Sequence, residues 1–162
     1  MPILLPVFAG LSLLLSGAIF GFFYAWVCST MWGLDQIAPE VAIAAMQGMN
    51  ASVRNAVFAP AFFGTPFVLL ITAALSRRHR LAALSFGLGG LVYLVGGLIL
   101  TVSVNVPMNE ALALVEPSSP DAAQVWRSYS ETWQVWNIAR TVVSGVTLMC
   151  AGLGIWALGR GR

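Results

Sequence analysis

Residues 81–109 read LAALSFGLGGLVYLVGGLILTVSVNVPMN, and this stretch decides the fold because none of its 29 residues is charged. A helix needs about 20 mostly apolar residues to cross the ~30 Å hydrocarbon core of a bilayer. Three further uncharged runs, of 34, 22 and 19 residues, lie at 1–34, 55–76 and 141–159. The sequence therefore predicts an all-α membrane protein whose four transmembrane helices form an up-down bundle with helical outer connections. A single membrane domain covers 1–162, with predicted spans near 4–28, 55–76, 81–104 and 138–158.

The composition supports a lipid environment and excludes an ordinary soluble enzyme. Hydrophobic residues make up 59% of the chain, charged residues 9%, and the mean hydropathy is +0.85. A soluble domain carries roughly 25% charged residues. The lipid bilayer is therefore the predicted partner. Nucleic acid is not, because no basic stripe is present.

The positions of the charges predict the orientation in the membrane. Arg77, Arg78 and Arg80 fill a short connection, Arg160 and Arg162 end the chain, and neither segment contains an acid. The other two connections carry all six acids: Asp35, Glu40, Glu110, Glu116, Asp121 and Glu131. Since arginine-rich segments stay in the cytoplasm, we expect a multi-pass protein of the cell membrane with both termini cytoplasmic. The first span is interpreted as an uncleaved helix.

The two longer connections are predicted to contain helices of their own. Pro39 can occupy the first turn of a helix over about 39–50, and Pro107 is expected to start another short helix. From Asp121 a helical pattern runs into the fourth span. One face of it carries Trp126, Tyr129, Trp133 and Trp136. The favoured interpretation of this stripe is an aromatic belt at the membrane–water interface.

Small residues recur within the spans, as at Gly89 and Gly90 in the third. Such residues allow helices to approach closely in lipid. The sequence leaves open whether they serve packing within the chain, which we favour, or dimerisation.

A set of amides, arginines and indoles is predicted to meet at one depth near the outer ends of the spans. Two guanidinium groups can bind a carboxylate or phenolate, amides can donate and accept, and aromatic faces can stack on a flat ring. The same residues could equally satisfy one another and hold the outer connections in place, so both interpretations stay open. The set comprises Asn50, Arg54, Asn105, Asn109, Trp133, Trp136, Asn137 and Arg140.

The scarcity of other reactive residues limits the chemistry. His79 is the only histidine, the spans contain no acid, and Cys28 and Cys150 are too far apart in depth to pair. We therefore expect no metal site, no cofactor and no disulfide.

Four segments resemble the anthrone oxygenase-like family of four-helix membrane proteins: GAIFGFFYAW (17–26), MQGMNASVRNAVFAPAFFGTPF (46–67), NVPMNEAL (105–112) and WQVWNIART (133–141). The resemblance implies a transmembrane bundle that oxidises a polycyclic anthrone to an anthraquinone with O₂ and without a metal. It suggests that Arg140 and Arg54 stabilise an oxyanion, while Asn105, Asn109 and Asn137 orient the ring. Glu110 is then the nearest candidate base.

The leading hypothesis is a cofactor-independent oxidation of an aromatic, quinol-like substrate in an outward-facing pocket. In that hypothesis Arg140, Asn137 and Asn109 are the catalytic residues. The residues expected to bind substrate are Asn50, Arg54, Asn105, Trp133 and Trp136. The alternative is a non-catalytic membrane protein that binds a lipid, a quinone or a protein partner, and a transporter comes third. The oligomeric state stays open.

Overall fold

Five helices make up almost all of the chain described by the computed structural model, which covers residues 3–160. Arg162 lies outside the described residues. The helices are α1 (Leu4–Leu34), α2 (Pro39–Ser52), α3 (Phe58–Leu75), α4 (Arg80–Ala113) and α5 (Ala122–Arg160). All except α2 are long and apolar enough to cross a membrane. The predicted all-α, four-span architecture is confirmed.

The four long helices form a ring in which each contacts two others. α1 packs against α3, α3 against α4, α4 against α5, and α5 back against α1. α3 has only 18 residues, or about 27 Å of helix, whereas α4 and α5 have 34 and 39. α4 and α5 therefore continue as helices beyond the apolar stretches of the third and fourth predicted spans.

In one half of the bundle, which we call the arginine end, the helices pack tightly around small residues. This end carries the turn between α3 and α4, with Arg77 and Arg78, and the last residue of α5, Arg160. A Cβ added at Gly90 would lie 2.9 Å from Cγ of Leu70. Gly90 therefore allows close packing between two helices of the chain.

The opposite end, which we call the capped end, is covered by α2 and by the extensions of α1, α4 and α5. α2 starts at Pro39, as predicted, and packs on both α4 and α5. Gln47 of α2 donates hydrogen bonds of 2.9 Å to the carbonyl oxygens of Leu112 and Val115. The hydrophobic cluster beneath α2 includes Met31, Leu34, Ile43, Met46, Leu112, Trp126, Tyr129 and Trp133.

The predicted aromatic belt is wrong for three of its four members. Trp126, Tyr129 and Trp133 are buried beneath α2, whereas Trp136 is 37% exposed. A belt residue needs one face in lipid and a polar edge in water. Here α2 excludes both solvents from the stripe, so the three side chains are core residues.

The short helix expected to start at Pro107 is present as Val106–Ala113, and it continues α4 without a break. The π-helical turns Leu94–Ile99 and Thr101–Asn105 precede the α-helical segment Val106–Ala113, in whose first turn Pro107 lies. A proline ring clashes with the carbonyl four residues earlier in a regular α-helix. The wider π turns relieve that crowding, so the helix continues. A third π turn, Trp26–Thr30, lies in α1.

Candidate functional site

A cavity of about 1120 Å³ lies toward the capped end, between α1, α3, α4 and α5. The connection formed by residues 53–57 closes one side. The wall is mostly apolar, and its aromatic members are Phe22, Phe23, Trp26, Phe58, Phe62, Phe63 and Trp133. Two of the three π turns end or begin at this cavity, and π turns are frequent at functional sites.

The Arg140 guanidinium lies in the wall of this cavity with only 4% of the residue exposed. Its Cζ is 4.7 Å from the ring centroid of Phe23 and 5.1 Å from that of Trp133. Nη2 donates to Oδ1 of Asn137 at 2.8 Å, and Nη1 donates to Oγ1 of Thr101 at 3.4 Å. Nε has no hydrogen-bond partner among the described residues. Nε is therefore a buried donor that is unused within the described chain.

No carboxylate of residues 3–160 lies within ion-pair distance of Arg140. Taking a cation out of water costs several kcal/mol unless it is paired and hydrogen-bonded. The two ring faces and two neutral acceptors compensate only part of that cost. The guanidinium is therefore positioned to gain energy from an anion in the cavity.

Asn137 holds the Arg140 side chain in place. Its Nδ2 donates to the carbonyl oxygen of Phe23 on α1 at 3.2 Å, which leaves Oδ1 directed at Arg140. Trp133, Asn137 and Arg140 follow one another at spacings of four and three, so they share one face of α5. α5 thus brings an aromatic ring, an amide and a cation to the cavity together.

Asn109 is the centre of a second network, nearer to α2. Its Oδ1 accepts hydrogen bonds from Tyr129 Oη at 2.8 Å and from Trp133 Nε1 at 3.0 Å. Its Nδ2 donates to Oδ1 of Asn50 at 3.1 Å. The buried Nδ2 of Asn50 has no partner among the described residues. Asn109 therefore joins α2, α4 and α5, and the free amide donor beside the cavity belongs to Asn50.

Arg54 and Glu110 lie at the rim of the cavity rather than inside it. Arg54 Nη2 is 3.7 Å from Glu110 Oε1, and both side chains are 62% exposed. This ion pair joins the 53–57 connection to α4. Arg54, which the sequence grouped with Arg140, is thus solvated and already has a partner.

Six of the eight predicted site residues line the cavity: Asn50, Arg54, Asn109, Trp133, Asn137 and Arg140. Asn105 is fully buried but is not among the lining residues, and neither atom of its amide has a partner in the described chain. Trp136 also lies outside the lining. At 3.6 residues per turn it is about 60° away from Trp133 around α5, and its ring therefore faces outward.

Sequence reasoning missed the aromatic wall from α1 and α3, and it missed Asp35. The spacing of Phe22 and Trp26, one helical turn apart, was a signal that could have identified the α1 face. Asp35, at the end of α1, accepts hydrogen bonds from Trp126 Nε1 at 3.1 Å, Ser130 Oγ at 2.6 Å and Gln134 Nε2 at 3.0 Å. Nothing in the local sequence indicates that role.

Comparison with known families gives one match, in which a sequence model of anthrone oxygenase aligns with residues 46–150. The chain belongs to the anthrone oxygenase family. The matched region extends from α2 to the middle of α5, so it contains every polar lining residue named above. The aromatic wall of α1 precedes it. No curated protein and no solved structure matches the chain.

The residues of this family member give no sign of a metal centre. Among the described residues, no group of three or more His, Cys, Asp or Glu side chains could hold a metal ion. Cys28 and Cys150 are both free thiols, as expected from their separation. The polar chemistry at the cavity therefore comes from guanidinium, amide, hydroxyl and carboxylate groups.

Proposed function

We propose that this member of the anthrone oxygenase family oxidises an aromatic, quinol-like substrate with O₂, without a bound cofactor. The observation that carries the proposal is the Arg140 guanidinium, which is buried beside an aromatic cavity and has no carboxylate within ion-pair distance in the described chain. Preorganised donors in a site shielded from water are the strongest means of stabilising a developing oxyanion. Arg140 is such a donor.

The surroundings of Arg140 suit a flat aromatic anion. Phe23 and Trp133 flank the guanidinium, and the lining offers further ring faces on which a substrate can stack. Two donors of lining residues have no partner in the described chain: Nε of Arg140 and Nδ2 of Asn50. Asn137 and Asn109 act as positioning residues, because their hydrogen bonds hold Arg140 and Trp133 in place.

The reaction begins with loss of a proton, after which the electron-rich anion reduces O₂ directly. A quinol loses two protons and two electrons in total, and O₂ accepts both pairs and leaves as H₂O₂. For an anthrone, the ring CH₂ becomes a carbonyl: one oxygen atom of O₂ enters the product and the other leaves as water. In both cases Arg140 stabilises the anion that precedes electron transfer.

Glu110 is the base in this proposal. It is the only carboxylate among the lining residues, and it lies at the rim beside Arg54. Its exposed position allows a proton taken from the substrate to pass to water.

The proposal also places the capped end outside the cytoplasm. Arg77, Arg78 and Arg160 lie together at the other end of the bundle, and all six acids lie on the capped side of the spans. Positively charged connections stay in the cytoplasm. The protein then lies in the cell membrane with its cavity toward the exterior.

The decisive experiment is oxygen uptake by the detergent-purified protein with an anthrone and with a hydroquinone. We expect Arg140→Met to lower the rate by about 100-fold or more, as removal of an oxyanion donor does elsewhere. Arg127→Met is the matched control, because Arg127 is an exposed arginine of the same helix. Added catalase should return half of the oxygen consumed with the hydroquinone and none with the anthrone.

A variant that merely misfolds is distinguished by rescue. Arg140→Ala leaves a space that guanidinium ions can occupy, so added guanidinium should restore part of the uptake in this variant and none in Asn109→Leu. Equal rates in wild type and Arg140→Met would remove Arg140 from the reaction. Ligand binding without any uptake by the wild type would favour the non-catalytic alternative.

A further inference from the structure

We infer from helix contacts and side-chain exposure that the cavity opens sideways between α3 and α4. α3 packs on the Arg80–Ile99 part of α4, whereas within the described chain the Thr101–Ala113 part makes no comparable contact with it. Phe63 of α3 and Val102 of α4 both line the cavity, and each is 51% exposed. Large apolar side chains that border a cavity and the bundle surface at once mark the place where the two connect.

Val102, at one border of this opening, lies near one boundary of the hydrocarbon layer. Thr101, which contacts Arg140, follows Arg80 by 21 residues, or about 31 Å along the helix. The hydrocarbon core is ~30 Å thick. If Arg80 marks one boundary, Arg140 and Val102 lie at the other, where lipid chains meet head groups.

The two sides of the cavity differ in polarity. On the side of the polar connections, the Arg54–Glu110 ion pair crosses from the 53–57 connection to α4. At the side opening the bordering residues are Phe63 and Val102, and neither is charged. A ligand that enters between α3 and α4 therefore meets no charge until it reaches Arg140.

The volume also exceeds what an aromatic head group alone requires. Pockets that bury drug-sized ligands measure about 300–1,000 Å³, and this cavity reaches about 1120 Å³. Most of the surface that lines this volume is apolar.

We propose that the ligand is a membrane-dissolved amphiphile: an aromatic ring whose ionised hydroxyl lies at Arg140, with an apolar chain that leaves through the α3–α4 opening. The binding of an anionic ring at Arg140 rests on the proposed function, whereas the apolar chain of the ligand and its route of entry are new. Such a molecule already resides at the depth of the opening, with its hydroxyl near the head groups. It enters sideways without crossing water.

The test uses nitrophenols that carry a methyl, hexyl or dodecyl chain opposite the hydroxyl, with the protein in phosphatidylcholine nanodiscs at neutral pH. These probes ionise, absorb visibly and do not reduce O₂. Binding is read from the phenolate spectrum and from quenching of tryptophan fluorescence. With concentrations expressed as mole fraction in lipid, the three wild-type dissociation constants should agree within about threefold, because the chain stays in an apolar medium throughout.

A bulky residue at the opening should discriminate among these probes. We expect Val102→Trp to weaken dodecyl binding by about tenfold and to leave methyl binding unchanged. The matched control is Val142→Trp, since Val142 is 62% exposed on α5 and does not line the cavity.

Two outcomes would overturn the amphiphile proposal. One is a wild-type affinity that falls steeply from the methyl probe to the dodecyl probe. The other is a Val102→Trp substitution that weakens binding of these two probes equally. Because the probes are redox-inert, failure of the oxidation shows itself separately, as absent oxygen uptake with quinols. If Arg140→Met abolishes binding of the methyl probe and Arg127→Met does not, the result supports the part of the proposal that places the ionised hydroxyl at Arg140.

Discussion

At the arginine end, α3, α4 and α5 touch through glycines; at the capped end, aromatic rings and polar side chains line a cavity between the helices. Gly90 admits Leu70 at the first end, whereas Arg140, Thr101 and Asn137 form hydrogen bonds at the second. Close packing in lipid relies on van der Waals contact between small residues. One end is therefore close-packed, and the other encloses a cavity.

The largest expected effect on stability comes from a substitution that disrupts the close packing at the arginine end. A Cβ at Gly90 would lie 2.9 Å from Cγ of Leu70 and 3.2 Å from the carbonyl oxygen of Pro66. We expect Gly90→Leu to lower the free energy of unfolding in detergent by about 3 kcal/mol. Gly152→Leu is the control, because nothing lies within 4 Å of a Cβ there. Similar stability of the two variants would contradict the packing described.

The next effect concerns the amide network at the capped end. Asn109→Leu removes the acceptor for Tyr129 Oη and Trp133 Nε1, both in a buried region. Leaving buried donors unpaired costs about 1–3 kcal/mol, so we expect unfolding to become easier by about 2 kcal/mol. Gln124→Leu, at an exposed site on α5, should have little effect. A loss as small as that of the control would mean that Asn109 does not hold this end together.

Substitution of Asn105, also toward the capped end, is expected to stabilise the protein rather than destabilise it. Its amide is fully buried, and neither Oδ1 nor Nδ2 has a partner in the described chain. An apolar group of similar shape avoids that cost, so Asn105→Leu should raise the free energy of unfolding by about 1 kcal/mol. A decrease instead would show that the amide is satisfied by a bound molecule, such as internal water.

The smallest effect is expected at the rim. The Arg54–Glu110 pair is 3.7 Å apart and well exposed, and exposed pairs contribute about 0–1 kcal/mol. A double-mutant cycle with Arg54→Ala and Glu110→Ala should therefore give a coupling energy below about 1 kcal/mol that vanishes in high salt. Coupling that persists in salt would indicate a more enclosed ion pair.

Much of the fold could be predicted because its signals are local. The uncharged run at 81–109 required a spanning helix, and Pro39 marked the start of α2. The meeting of Asn50, Asn109, Asn137 and Arg140 followed from their similar depth near the ends of four helices. The π turns did not follow, because they depend on how α4 fits its neighbours rather than on any residue type.

Predictions from the sequence were wrong where the burial of a side chain depends on segments far away along the chain. Trp126 has the composition of an interface residue, but α2 covers it and Asp35, 91 positions away, accepts its indole hydrogen. Arg54 and Arg140 look equivalent in sequence. One is solvated beside Glu110, and the other is enclosed by Phe23 and Trp133.

The sequence by itself determined the solvent, the number of spans and the small set of polar residues available for chemistry. Those properties depend on the composition and the periodicity of single segments, and both can be read from each segment without its neighbours. The shorter length of α3 beside α4, the cavity there, and the absence of a carboxylate beside Arg140 within residues 3–160 follow only from the tertiary structure. These depend on contacts among four helices, and an electrostatic environment exists only once its members are assembled.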